Sequence, residues 1–239
     1  MRRALAEGVG SAFLVMAVVG SGIAANRLSP GDPGLQLLEN ALATAAALVA
    51  IILAVGPVSG AHLNPVITLV DLAFGGLAAR SALGYVSAQV IGGALGTIIA
   101  NLMYSLAPIT ASVHERSGAG VWLAEVVATS GLVLVVFGVV RSGRAQLAPF
   151  AVGAYIGAAY FFTSSTSFAN PAVTLARTLT DTFSGVAPAS APAFVLAQLV
   201  GGAVGLGSVR LLYPQRRVTA GAAAAPRTDP SRPSSVESA

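Results

Sequence analysis

The sequence predicts an all-α membrane protein in which six transmembrane helices and two re-entrant half-helices form an inverted repeat. Three observations lead there. Hydrophobic residues make up 55% of the 239 and charged residues only 9%, with a mean hydropathy of +0.79, the composition of an integral membrane protein. Six apolar runs are long enough to cross a hydrocarbon core ~30 Å thick, which takes about 20 residues of helix. Two Asn-Pro motifs, Leu63-Asn64-Pro65-Val66-Ile67-Thr68-Leu69 and Ala169-Asn170-Pro171-Ala172-Val173-Thr174-Leu175, occupy matching places in the two halves.

The spans fall near 4–24, 37–55, 82–104, 121–140, 147–162 and 191–212. The first begins Met1-Arg2-Arg3, which resembles the charged start of a signal peptide. Leu5-Ala6-Glu7 recurs, however, as Leu123-Ala124-Glu125 at the head of the fourth run, so both read as retained spans. The repeat continues in the third and sixth, where Ala88-Gln89-Val90-Ile91-Gly92-Gly93-Ala94-Leu95-Gly96 is matched by Ala197-Gln198-Leu199-Val200-Gly201-Gly202-Ala203-Val204-Gly205. Each half thus runs from a Glu-bearing span through a second span and an Asn-Pro segment to a Gln-Gly-Gly span. Because each half has an odd number of spans, the second enters the membrane the opposite way up. The reading is one domain over 1–213, with repeats at about 4–104 and 121–212, followed by a disordered tail over 214–239 rich in Ala, Pro, Ser and Arg.

Composition also excludes functions. Lys is absent, so all thirteen cations are Arg; they lie at span ends and in the tail, with no basic stripe interleaved with aromatics that would read as nucleic-acid binding. No Cys is present, which removes disulfides and thiolate chemistry. Only His62 and His114 could offer imidazole, so neither a metal site, a cofactor nor an enzyme is expected. With the N-terminus inside, Arg2, Arg3, Arg80, Arg141, Arg144, Arg210, Arg216, Arg217, Arg227 and Arg232 are cytoplasmic, against Arg27, Arg116 and Arg177 outside. That bias places both termini in the cytoplasm.

The Asn-Pro segments are helix starts, since Asn caps an N-terminus well and Pro has no N–H to leave unpaired at the first helical position. The stretch from Pro65 to Phe74 before Gly75-Gly76 is ten residues, about 15 Å of helix, or roughly half the membrane core. Under the inverted topology the two half-helices enter from opposite sides and their N-termini meet in the middle. Irregular backbone at that depth is tolerated only when buried in protein or lining a water-filled cavity. A pore between Asn64 and Asn170 satisfies this. The two Asn amides are donors for a passing oxygen, and two positive helix ends disfavour cations and protons. Moving a bare ion into low dielectric costs on the order of 20 kcal/mol in the Born limit, so the permeant is expected to be small and neutral.

With the paired Asn-Pro motifs, the first within Ser59-Gly60-Ala61-His62-Leu63-Asn64-Pro65, the Glu of spans one and four, and the Gln-Gly-Gly repeat, the chain resembles the major intrinsic protein family, the aquaporins and aquaglyceroporins. The resemblance covers nearly all of 4–213. It implies an aquaporin-like channel assembled as a homotetramer, with one pore per subunit, in a bacterial inner membrane. It makes Asn64, Pro65, Val66, Asn170, Pro171 and Ala172 the pore motifs, with Val66 standing where Ala is usual. It assigns Glu7 and Glu125 to holding the backbone of the two re-entrant loops. Read alone, an intramembrane carboxylate is a candidate proton relay, but the symmetric placement of this pair favours the structural role. Gln89 and Gln198 read as interhelical hydrogen-bonders, and the glycines beside them as small-xxx-small packing faces. His62 either lines the cytoplasmic part of the pore or is packed and hydrogen-bonded.

The chain departs from the family at the outer constriction. Relatives usually carry Arg three residues after the second Asn, and here that position is Val173. Counting offsets from the two Asn residues gives Thr44, Ala158 and Ser167 as the other filter positions, a set that is wide, uncharged and without an aromatic. Arg177, four residues beyond Val173, is also four before Asp181, and the expected arrangement is a surface ion pair between them. The alternative makes Arg177 a vestibule residue that attracts anions. The sequence around Phe168 to Arg177 and Leu179-Thr180-Asp181-Thr182-Phe183 resembles a bacterial branch associated with arsenic resistance, whose filter also lacks Arg. The resemblance therefore implies a passive channel for small neutral solutes, arsenicals and metalloid acids foremost, with water or glycerol as the alternative. An ion-coupled secondary transporter, which also uses inverted repeats, is the reading from a different class.

Overall fold

A computed structural model of the protein describes residues 1–214; apart from Pro214, the expected tail lies outside the described residues. Eight α-helices run α1 (Arg2–Leu28), α2 (Pro33–Ser59), α3 (Pro65–Ala73), α4 (Ala79–Met103), α5 (Ala119–Arg141), α6 (Ala148–Phe162), α7 (Pro171–Arg177) and α8 (Ala191–Leu212), with a short 3-10 turn at Ala145–Leu147 before α6. Six are long and apolar enough to cross a membrane. The chain is a multi-pass membrane protein. The two short helices, α3 and α7, are the Asn-Pro segments.

Helix ends follow local chemistry. α2 extends past the predicted 37–55 at both ends because Asp32 Oδ1 accepts from Leu35 N at 2.9 Å with Pro33 in the first turn, and because Gly60, at φ 93°, provides the left-handed residue that stops it. α3 and α7 are capped by their own Asn side chains. Asn64 Oδ1 accepts from Val66 N at 2.9 Å, and Asn170 Oδ1 from Ala172 N at 3.0 Å. At the far end of α3, Arg210 Nη2 donates to Ala73 O at 3.3 Å and the Arg141 guanidinium lies 4.0 Å from the Phe74 ring centre, which places cations where the helix dipole favours them.

The tertiary arrangement repeats between halves. α1 packs on α4 and α2, α5 packs on α8 and α6, and α2 meets α6 across the middle. Close approach at the helix crossings depends on glycine. A Cβ on Gly92 would collide with Gly8 O across the α1–α4 crossing, and one on Gly201 would lie 2.6 Å from Val126 O across the α5–α8 crossing. In lipid, where apolar surface gives no net drive to associate, such backbone contact is how helices gain packing energy. Buried Val15, Val19, Ala100, Ala128 and Val133 fill the interior, whereas Leu83, Ile91, Leu95, Leu196 and Val204 are exposed on the outer face. The long connection between α4 and α5 folds over one end of the bundle. There Thr110 N donates to Leu179 O at 3.0 Å and Ala187 N to His114 O at 2.8 Å, tying this connection to the segment that follows α7.

Gly92→Val should force α1 and α4 apart and cost about 1–3 kcal/mol, as overpacking does. The check is thermal stability of the detergent-purified protein, where the variant is expected to melt well below wild type while Gly84→Val, at a position with open space around it, stays close to it.

Candidate pore and its constriction

The backbone before each Asn-Pro motif is irregular in a matched way. Ala61 and Leu63 take φ of 50° and 51°, and Ser167 and Ala169, at the equivalent positions, take 52° and 48°. A non-glycine residue held in the left-handed region is strained, and such strain persists only when surrounding contacts fix it. Here the contacts are two buried carboxylates. Glu7 Oε1 accepts from His62 N at 3.0 Å and from Ser59 Oγ at 2.6 Å, and its Oε2 accepts from Leu63 N at 2.7 Å and Gln89 Nε2 at 2.8 Å. Glu125 accepts from Phe168 N at 3.0 Å, Ala169 N at 2.9 Å and Gln198 Nε2 at 2.6 Å. The N–H groups of His62, Leu63, Phe168 and Ala169 are thus spent on glutamate. Gln89 and Gln198 each brace the half-helix as well, donating to Thr68 Oγ1 at 3.0 Å and Thr174 Oγ1 at 2.8 Å.

The two loops are then locked to each other. Asn64 Nδ2 donates to Ala169 O and Asn170 Nδ2 donates to Leu63 O, both at 2.7 Å. Each Asn oxygen caps its own helix and each amide spends one hydrogen on the opposite loop, so one N–H per Asn is left for the lumen. Pro65, Val66, Pro171 and Ala172 follow as the buried first turns of the half-helices. Val66 packs with its side chain against Gly202 of α8.

Both Asn side chains line a cavity of about 630 Å³ that extends from Gln146 and His62 at one end to Arg177 at the other. Its walls are mostly apolar, including Leu14, Leu48, Ile67 and Leu132. His62 lines it and is also held, with Nδ1 3.2 Å from Thr68 Oγ1, Nε2 3.7 Å from Asp71 Oδ2, and the ring edge-on to Tyr85. Asp71 lines the same end. It lies two turns after Asn64 on α3, and that i, i+7 spacing is the signal that could have marked it in the sequence.

At the other end the structure brings together Thr44, Ser167 and Val173, all buried and all on the cavity wall. Ala158 is not among them: it is exposed on the outer face of α6, and Ile156 and Tyr160 take the lumen side. Residues four apart share a helix face while one two positions along lies nearly opposite, so an offset miscounted through the irregular loop lands on the wrong side. Tyr160 brings an aromatic hydroxyl 3.1 Å from Thr44 Oγ1.

The expected surface pair between Arg177 and Asp181 is also absent. Arg177 is 3% exposed and lines the cavity. Its guanidinium carbon is 3.5 Å from the centre of the Phe168 ring and its Nε donates to Ser184 O. The reason is that α7 ends at Arg177, so the i, i+4 adjacency of a helix does not reach Asp181. Asp181 instead accepts from Val113 N at 3.0 Å and lies 3.7 Å from His114 Nε2. This end of the cavity is therefore neither uncharged nor free of aromatic groups.

Six spans, two half-helices meeting at their N-termini and a cavity running between the paired Asn residues define a membrane pore. The chain belongs to the major intrinsic protein family, whose family model matches residues 1–169. It is 48% identical over 218 residues to Aquaglyceroporin AqpS of Rhizobium meliloti (strain 1021), covering 91% of this chain and 93% of that one. It is 34% identical to Aquaporin A of Dictyostelium discoideum, over 69% of this chain and 63% of the relative. The fold matches the X-ray structure of the aquaglyceroporin from Plasmodium falciparum with a TM-score of 0.70 at 22% identity, over 87% of this chain and 94% of that one.

Glu7→Ala would leave the His62 and Leu63 N–H groups and the Gln89 amide without their acceptor, each at about 1–3 kcal/mol. Thermal melting should show a large loss for Glu7→Ala and an intermediate one for Glu7→Gln, which keeps the shape but replaces one acceptor with a donor.

Proposed function

We propose that this protein is a passive channel for small neutral solutes bearing oxygen, with polyols, arsenicals and metalloid hydroxides as its permeants along with water. The observation that carries this reading is the cavity between Asn64 and Asn170, apolar over most of its wall and provided with a few fixed donors. Such a lining offers a hydroxyl-bearing molecule hydrogen bonds in exchange for part of its hydration shell. Arsenous acid is a neutral trihydroxy molecule of polyol size, so it meets the same requirements as glycerol. Glu7 and Glu125, which a coupled transporter could use as proton carriers, are fully engaged by backbone and glutamine donors, which favours the passive reading.

The organisation follows. The pore unit occupies 1–213, built from repeats at about 4–104 and 121–212, and the filter is formed by Thr44, Ser167 and Val173 with Tyr160. Arg2, Arg3, Arg80, Arg141, Arg144 and Arg210 lie at the His62 end and Arg27, Arg116 and Arg177 at the other, which supports a cytoplasmic N-terminus and a cytoplasmic His62 mouth. The location is a bacterial inner membrane, by analogy with the bacterial relative, and the assembly is a homotetramer with a pore in each subunit.

Flux in proteoliposomes is expected to rise linearly with solute concentration and to be unchanged when a proton gradient is dissipated. Saturation with strict dependence on a proton or sodium gradient would replace the channel by a transporter. Val173→Arg adds a planar cation with several donors at the narrow end, so it should reduce polyol and arsenical flux far more than water flux. Unchanged large-solute flux in a variant that inserts normally would remove Val173 from the constriction.

A further inference from the structure

Arg177 is a buried permanent cation on the cavity wall with no carboxylate partner among the described residues. Among the described residues the ion pairs are His62 with Asp71 and His114 with Asp181, and Arg177 has only the Phe168 face and the Ser184 carbonyl. Burying a charge is costly, and a guanidinium left without a counter-ion persists where its face is stacked and its donors serve something else. Among those residues only Nε is hydrogen-bonded. The residue that carries the two remaining Nη groups lines the cavity. Guanidinium donors left free on a residue that lines a cavity mark a place where a passing solute supplies the missing partners.

A second cation reinforces the first. Arg116, from the α4–α5 connection, lies 5.3 Å from the centre of the same Phe168 ring and donates from Nε to Gly185 O at 3.2 Å. Phe168 is thus a shared platform for two guanidinium groups, each anchored through Nε to a backbone carbonyl of the segment after α7. Val173, one turn before Arg177 on α7, lines the same cavity.

We infer that Arg177 is the charge-selective and solute-contacting group of this channel: displaced one helical turn along α7 from the position where Val173 stands, it repels cations and donates to the oxygens of a neutral solute. This rests on the channel reading and adds to it the residue that sets selectivity. Stacking on Phe168 fixes the guanidinium with no carboxylate in contact; the nearby Glu125 charge opposes its field, and the Arg116 charge, which adds to it, acts more strongly at that site.

The test uses the full chain in proteoliposomes, with water and glycerol flux measured by light scattering and proton and sodium leak measured under an imposed potential. Arg177→Met should raise cation leak on the order of tenfold or more and lower the ratio of glycerol to water flux. Arg177→Lys should keep cations out while losing part of the glycerol preference, because a point charge lacks the planar donor set. The double variant Val173→Arg with Arg177→Met restores a cation one turn away and should suppress the leak again. If Arg177→Met conducts water and glycerol as wild type does with no added leak, Arg177 is a packing residue and the inference falls. If the leak appears but the double variant does not suppress it, the effect is not one of charge on this wall and the inference also falls. Absence of neutral-solute flux in the wild-type vesicles would instead overturn the channel reading itself.

Discussion

A helix that begins in the middle of a membrane exposes backbone groups where no lipid can hydrogen-bond them, and the whole molecule is arranged around answering that need. The answer is reciprocal. Asn64 and Asn170 each cap their own half-helix and donate to the carbonyl of the other loop, while Glu7 and Glu125 absorb the loop N–H groups behind them. Neither half can satisfy its loop alone, because the acceptor for each Asn amide belongs to the other half. The inverted repeat is therefore a hydrogen-bonding requirement as well as a symmetry. The glycine crossings of α1 with α4 and α5 with α8 serve the same end by bringing each glutamate and glutamine close enough to the loop they hold.

On this symmetric frame the two mouths differ. The end lined by His62 and Asp71 carries one basic and one acidic group 3.7 Å apart, whose fields largely offset when the imidazole is charged. The end lined by Arg177 has a cation stacked on Phe168 and, among the described residues, no acid in ion-pair contact with it. Between the mouths the fixed polar groups are the Asn pair and, towards the Arg177 end, the Thr44 and Tyr160 hydroxyls. An ion meets positive helix ends in the middle and a fixed positive charge at one mouth. The proposed selection for neutral solutes rests on this asymmetry laid over the repeat.

Much of the fold was legible in the sequence because the signals are regional. Composition marks the spans, and Asn followed by Pro marks a helix start whatever surrounds it. The repeat of Glu and Gln-Gly-Gly segments gave the pairing of the halves. The wall of the pore was harder, because which side a residue faces depends on the phase of one helix, and phase is lost through irregular loops. Ala158 was placed by counting back through a loop in which Thr166, Ser167 and Ala169 all take positive φ, and the count landed opposite the lumen that Ile156 and Tyr160 face. Arg177 and Asp181 have helical spacing, but α7 stops at the first of them, so periodicity pointed to a partner the backbone does not reach. Stacking on Phe168, nine residues earlier and across a left-handed turn, has no sequence period to announce it.

The native chain contains no cysteine, which opens a direct test of whether solutes pass between the two Asn residues. A single cysteine at Ile67, on the cavity wall one turn into α3, and another at Leu95, exposed on the outer face of α4, can each be labelled to completion with a mercurial in proteoliposomes. A pore between Asn64 and Asn170 predicts that labelling Ile67→Cys abolishes water and glycerol flux and that reduction restores it, with Leu95→Cys unaffected. Full labelling of Ile67→Cys with flux unchanged would contradict that path.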